Sequence, residues 1–160
     1  MIKGKGQRLI PEELLKKLLP YTEKGIGALV DSKGNSRFVE GEGVGLSQEG
    51  VNISYCKWSL SGTHLMLVCA GSVENTTVIS SNVHLADFAV PNYIMDKIVP
   101  IFSTLVNRAT ATFYASNYSS QTLTVNLIKT TNINIQSGGS LTLSADRTFR
   151  IQFDLLIDSE

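Results

Sequence analysis

The chain has 160 residues, enough for one domain with a short appendage and a core that buries about 70% of the unfolded surface. Its 14 basic and 14 acidic side chains cancel, so the long-range field that draws proteins to nucleic acid or to anionic membranes is missing. Charged residues make up only 18% of the chain, and solubility must come from Ser, Thr, Asn and Gly, a composition of strands and turns rather than helices.

The basic opening Met1-Ile2-Lys3-Gly4-Lys5 is followed by no apolar run of the secretory kind, and no stretch reaches the roughly 18 apolar residues of a membrane span. Neither membrane insertion nor nucleic acid is expected. Pro11 to Leu19 reads as a short helix, with Pro in its first turn, Glu12 and Glu13 at its start and Lys16 and Lys17 at its end, the order the helix dipole favours. Leu14, Leu15, Leu18 and Leu19 form one stripe, and a helix this short must dock on something to persist. Ala28 to Val39 predicts a small hairpin turning at Asp31-Ser32-Lys33-Gly34-Asn35. Glu40-Gly41-Glu42-Gly43-Val44-Gly45 lacks the spacing and the following helix of a dinucleotide fingerprint. It is expected to be a flexible junction. Residues 1–45 then form an attachment segment and residues 46–160 a β domain.

Within that domain, Val51, Ile53 and Tyr55 stand on one parity and Cys56, Trp58 and Leu60 on the other, so the strand bulges or is apolar on both faces. Leu65 to Ala70 is apolar without alternation. In a two-layer sandwich the second face of such strands needs cover from the N-terminal segment or from another subunit, the residue-level argument for an oligomer. Phe88 to Phe102 is apolar but interrupted by Pro91 and Pro100, which cannot donate to a ladder, and suits an irregular or edge segment. Thr110 to Tyr114 resumes a strand, and Ala115 to Gln121 is a polar loop. From Thr122 to Ile157 apolar and polar residues alternate in four segments, predicting a β-meander with a glycine hairpin at Ser137-Gly138-Gly139-Ser140 and a water-facing row that includes Asn134 and Gln152. About eight or nine strands are expected, an all-β antiparallel β-sandwich or jelly-roll-like head domain.

Signs of a reaction are missing from this pattern. His64 and His84 have no ligand or nucleophile at a recognisable spacing, no cofactor or metal motif occurs, and Asp87, Asp96, Asp146, Asp154 and Asp158 suit turns and strand ends. No enzyme is expected. Cys56 and Cys69, the two cysteines, read as buried free thiols, with a cross-strand disulfide as the alternative. Ligand recognition is the remaining option. Tyr118, Tyr114 and Tyr93 can offer a ring to a sugar, with Asn117, Asn92 and Asp87 as neighbouring polar groups. Trp58 lies in an apolar strand and suits the core.

Gly71-Ser72-Val73, Phe88-Ala89-Val90-Pro91, Ile98-Val99-Pro100 and the closing Asn134 to Leu143, behind a helical segment and a glycine-rich junction, resemble in layout the head domains of bacteriophage fibre and receptor-binding proteins. That resemblance covers about residues 50 to 158. It implies a virion location, a homotrimeric β-sandwich head joined to other virion proteins through residues 1–45, and a host-surface saccharide as ligand. A capsid decoration protein without receptor, a baseplate component and a monomeric carbohydrate-binding module are the alternatives.

Overall fold

The computed structural model describes residues 29–45 and 48–157. The expected Pro11–Leu19 helix and residue 28 of the expected hairpin lie outside them. Ten strands occur there: β1 (Phe38–Gly45), β2 (Val51–Ser61), β3 (His64–Val73), β4 (Thr77–Ile79), β5 (His84–Phe88), β6 (Leu105–Ala115), β7 (Ser120–Lys129), β8 (Ile133–Ser137), β9 (Leu141–Leu143) and β10 (Arg147–Leu156), with one helical turn, α1 (Asn92–Met95). Eight of the strands close into an antiparallel barrel in the order β1-β2-β3-β10-β6-β7-β8-β5, and β4 pairs with β9 outside it. The all-β antiparallel expectation holds, but the strands form one hydrogen-bonded ring instead of two open sheets. Closure gives every barrel strand a neighbour on both sides, although β6 and β10 meet over three residue pairs only.

The closing strand is the surprise. β1 pairs with β2 on one side and with β5 on the other, so the supposed junction is part of the barrel wall. Its exposure alternates residue by residue: Phe38, Glu40, Glu42 and Val44 face out, while Val39, Gly41, Gly43 and Gly45 face in. The glycines are required by what fills the space beneath them. A Cβ on Gly41 would lie 2.5 Å from the Trp58 ring, one on Gly43 2.6 Å from Cys56 Sγ and from the Phe88 ring, and one on Gly45 2.3 Å from Ile53. Trp58 is buried, as expected.

The parity switch in β2 is a β-bulge, the register shifting between Ile53 and Tyr55. Val51 and Ile53 before it and Cys56, Trp58 and Leu60 after it therefore reach the same interior, and β2 needs no second cover. On β3, Leu65, Leu67, Cys69 and Val73 point inward and are buried. Val68 on the outer face is buried as well, level with Lys57 of β2 and Gln152 of β10. The doubly apolar sequence is thus met within one chain.

Of the expected meander from Thr122 to Ile157, only the β7–β8 pairing forms, and the succession breaks there. Gly138 and Gly139 do not adopt positive φ, unlike Gly34, Gly50 and Gly62, and no tight hairpin forms. Ser137 is instead tied to the segment before β5: its Oγ donates to Ser80 O (2.5 Å) and accepts from Val83 N (2.9 Å). β9 leaves to pair with β4, and β10 crosses to lie between β3 and β6. Asn134, expected to face water, is 3% exposed.

The connections fall at two ends. The β1–β2 and β6–β7 loops and the β4/β9 ribbon lie at one, called here the loop end. The β2–β3 turn, the β5–β6 connection with α1, the β7–β8 turn and the start of β1 lie at the other, the entry end. α1 and the residues around it contribute buried Val90, Ile94, Met95 and Ile98 to the core. Lys129 Nζ fastens this irregular segment by donating to Ile98 O at 2.8 Å.

Candidate functional site

The loop end carries tyrosines that stand clear of the core, Tyr114 and Tyr118. Alternation along β6 turns Ala111 and Phe113 inward and Thr110, Thr112 and Tyr114 outward. β6 and β10 are laddered only from Arg147↔Ala115 to Phe149↔Phe113. Where the ladder stops, an open groove of about 460 Å³ lies on the wall, lined by Thr110, Thr112, Tyr114, Thr148, Phe149 and Arg150. Hydroxyls, one half-exposed phenol ring and one guanidinium are the groups that recognise polyols, by stacking on the ring and hydrogen-bonding around it.

The loop after β6 projects Tyr118. Its backbone sits at φ 65°, a left-handed conformation that suits glycine or asparagine and is unusual for a bulky ring. Among the described residues, the other non-glycine positions with positive φ are Asn82, Ser103 and Asp146, all small and polar. The Tyr118 side chain is 87% exposed, so packing does not hold the strained residue in place. Hydrogen bonds do. Tyr118 N donates to Ala115 O and Ala115 N to Ser119 O, both 2.9 Å. Asn117 Oδ1 accepts from Ser119 N at 3.0 Å. Arg147 Nη1 donates to Phe113 O (3.1 Å) and Ser119 O (3.0 Å), bracing the loop from β10. Asn117 is thereby committed to shaping the turn.

Tyr93, Asn92 and Asp87 lie towards the entry end, so the six residues singled out from the sequence form two groups instead of one site. Tyr93 is partly buried and its hydroxyl donates to Ser36 O at 2.9 Å. Burial first, and the nearby Asp31 charge second, push its pKa up. It lines a small cleft with Asp31, Ser32, Lys33, Asn35, Asp96 and Lys97. Asp31 is the hub. One carboxylate oxygen accepts from Lys33 N (2.9 Å) and Asn35 N (2.8 Å), the other from Asn35 Nδ2 (3.1 Å) and Lys97 Nζ (3.3 Å). These bonds shape the expected turn, closed by the Val30↔Ser36 bridge, and clamp it to the α1 segment. Asp87 Oδ2 accepts from Asn132 Nδ2 at 3.4 Å.

Burial alone would raise the Asp31 pKa, but the hydrogen bonds from Asn35, Lys33 and Lys97 outweigh it and hold the carboxyl at about 2, against an ordinary 3.8. A depressed folded-state pKa stabilises above the unfolded value and is lost as pH falls through the folded one. Asp31→Asn is therefore expected to melt below the parent at pH 5 to 7. The gap between the two melting temperatures should narrow below about pH 4 and close near pH 2, measured by circular dichroism. A gap independent of pH would show that the charge contributes nothing.

The entry end also exposes large apolar side chains: Val99 (81%), Ile101 (71%) and Phe102 (76%) in one loop, with Phe38 and Leu156 on the strands that end there. Three exposed apolar side chains within four residues, around the partly buried Pro100, form an apolar patch of the kind that interaction surfaces carry.

His64 and His84 occupy exposed outer positions. His64 Nε2 lies 2.9 Å from Asp154 Oδ1, and His84 Nε2 is 2.9 Å from Gln136 Nε2. Among the described residues no group of three or more His, Cys, Asp or Glu is placed to hold a metal ion, and no helix is long and apolar enough to cross a membrane. The groove residues Thr110, Thr112, Thr148 and Arg150 were not singled out from the sequence. Their outward parity was the available signal, but that β6 and β10 are neighbours was not.

Fold and surface together define an antiparallel β-barrel domain with one apolar end and one end bearing exposed tyrosines. No family model matches the chain, and no curated protein matches it. Among solved structures it is similar to the bovine atadenovirus type 4 fibre head protein, at 15% identity, over 72% of this chain and 97% of that one, with a TM-score of 0.36. That protein is a viral fibre head, though not a bacteriophage one.

Proposed function

We propose that the chain is a virion protein, the head domain of a fibre, held to the particle at its entry end and presenting its loop end to a host-surface saccharide. The observation that carries this reading is the polarity of the barrel. The N-terminal residues join it at Leu29, whose carbonyl accepts from Arg37 N at 2.7 Å, at the end that also carries exposed Val99, Ile101 and Phe102. Tyr118 and the Tyr114 groove lie towards the opposite end. An apolar end is suited to contact with other virion proteins or with copies of the chain. A ring strained into the open and a hydroxyl-lined groove are suited to recognition.

The reading includes a homotrimer, a bacteriophage source and no catalysis, as the sequence resemblance implies. Light scattering on the full chain tests the assembly. A mass near three times 17.4 kDa is expected; a monomer would remove the trimeric fibre and leave a single-chain carbohydrate-binding module.

A further inference from the structure

The two cysteines of the chain face one another inside the barrel. Cys56 and Cys69 are directly opposed in the β2–β3 register and both are buried and free. Their position in the ladder can be counted from the turn. Gly62-Thr63 is a two-residue hairpin loop with Gly62 at φ 68°, the arrangement of a type II′ turn. The pair flanking such a turn, Ser61↔His64, exchanges hydrogen bonds, and pairs then alternate. No register irregularity intervenes before Ile53/Tyr55. Leu60↔Leu65 is therefore a non-hydrogen-bonded pair, as are Trp58↔Leu67 and Cys56↔Cys69. Cα atoms in such pairs are about 4.5 Å apart, inside the roughly 4.4–6.8 Å that a disulfide spans.

We propose that Cys56 and Cys69 are a disulfide site, oxidised by small-molecule disulfides to lock β2 to β3 within the barrel. The neighbouring Cys69 thiol favours the thiolate of Cys56, while the neighbouring Cys56 and burial push Cys69 up. Cys56 is accordingly the attacking sulfur. Its thiolate displaces one thiolate from the oxidant, forming a mixed disulfide. Cys69 then attacks the Cys56 sulfur, expels the second thiolate and gives up its proton. Two electrons and two thiol protons leave the protein, and the oxidant departs as two thiols. Cys56 Sγ lies beneath Gly43 of the closing strand, so the oxidant reaches it when β1 opens or before β1 closes during folding. The inference is independent of the proposed function.

The test uses the full chain and glutathione disulfide, applied both to the folded reduced protein and during refolding from denaturant. The products are then unfolded without reductant, alkylated and weighed. Alkylation of neither cysteine and a loss of two hydrogens are expected from the refolding arm, with a melting temperature raised by roughly 5–10 °C and reversed by dithiothreitol. The same product from the folded arm would show that native opening suffices. Cys69→Ser should stop at the mixed disulfide and retain one glutathione. Two alkylatable cysteines after refolding in the oxidant, or disulfide-linked dimers, would overturn the proposal.

Discussion

Phe113→Ala is expected to lower the unfolding free energy by about 3–5 kcal/mol, the usual range for removing a buried ring. Phe113 is fully buried, and its ring centroid lies 4.8 Å from that of Phe149 with a 46° tilt. The two residues are direct cross-strand partners at the last pair of the β6–β10 ladder. Removing one ring forfeits the pair contact as well as leaving a cavity. The Phe113 carbonyl also accepts the Arg147 hydrogen bond that braces the Tyr118 loop, so exchange of the 115–119 amides should speed up together with the global loss. Chemical denaturation with hydrogen exchange checks both. A cost below about 1 kcal/mol would mean that the site collapses around the gap and that Phe113 is not a core support.

Gly71→Val is the second large effect and arises from overpacking. A Cβ at Gly71 would lie 2.0 Å from Asn52 O and 3.0 Å from Ile53 Cα. These are backbone atoms just before the β2 bulge, and no rotamer change relieves the overlap. The β2–β3 ladder must open locally, at about 3 kcal/mol or more. Gly139 supplies the comparison, because nothing lies within 4 Å of its Cβ position and its φ is not left-handed. Gly139→Ala should leave the melting temperature unchanged. If Gly71→Val melted like Gly139→Ala, the approach of β3 to the bulge would be wrong.

What the sequence disclosed depended on how local each feature is. The alternation of Phe149, Ile151 and Phe153 with Arg150, Gln152 and Asp154 is a property of one strand, and it was readable as such. The parity switch at Tyr55 was equally local, and the bulge was one of its two readings. β1 was misread because glycine has low strand propensity, although Gly41, Gly43 and Gly45 repeat with period two. The reason for those glycines lies in Trp58, Cys56, Phe88 and Ile53, on strands brought beside or beneath them only by folding. Placing β10 between β3 and β6 is likewise a non-local choice, and with it went the Thr148–Arg150 wall of the groove. Tyr118 was legible as a ring in a loop of small polar residues. Its left-handed backbone was not, since nothing in residues 115–119 except the absence of glycine hints at it.

That backbone gives the central claim a clean test. Tyr118→Gly removes the ring and relieves the positive φ, so the variant should fold at least as stably as the parent. The direct measurement is binding of the parent chain, Tyr118→Gly and Phe102→Ser to an array of host-surface and cell-wall glycans. Saccharide binding by the parent is expected, retained by Phe102→Ser at the entry end and reduced at least tenfold by Tyr118→Gly. No binding by the parent, or undiminished binding by Tyr118→Gly, would contradict recognition at the loop end and leave a structural or decoration protein in its place.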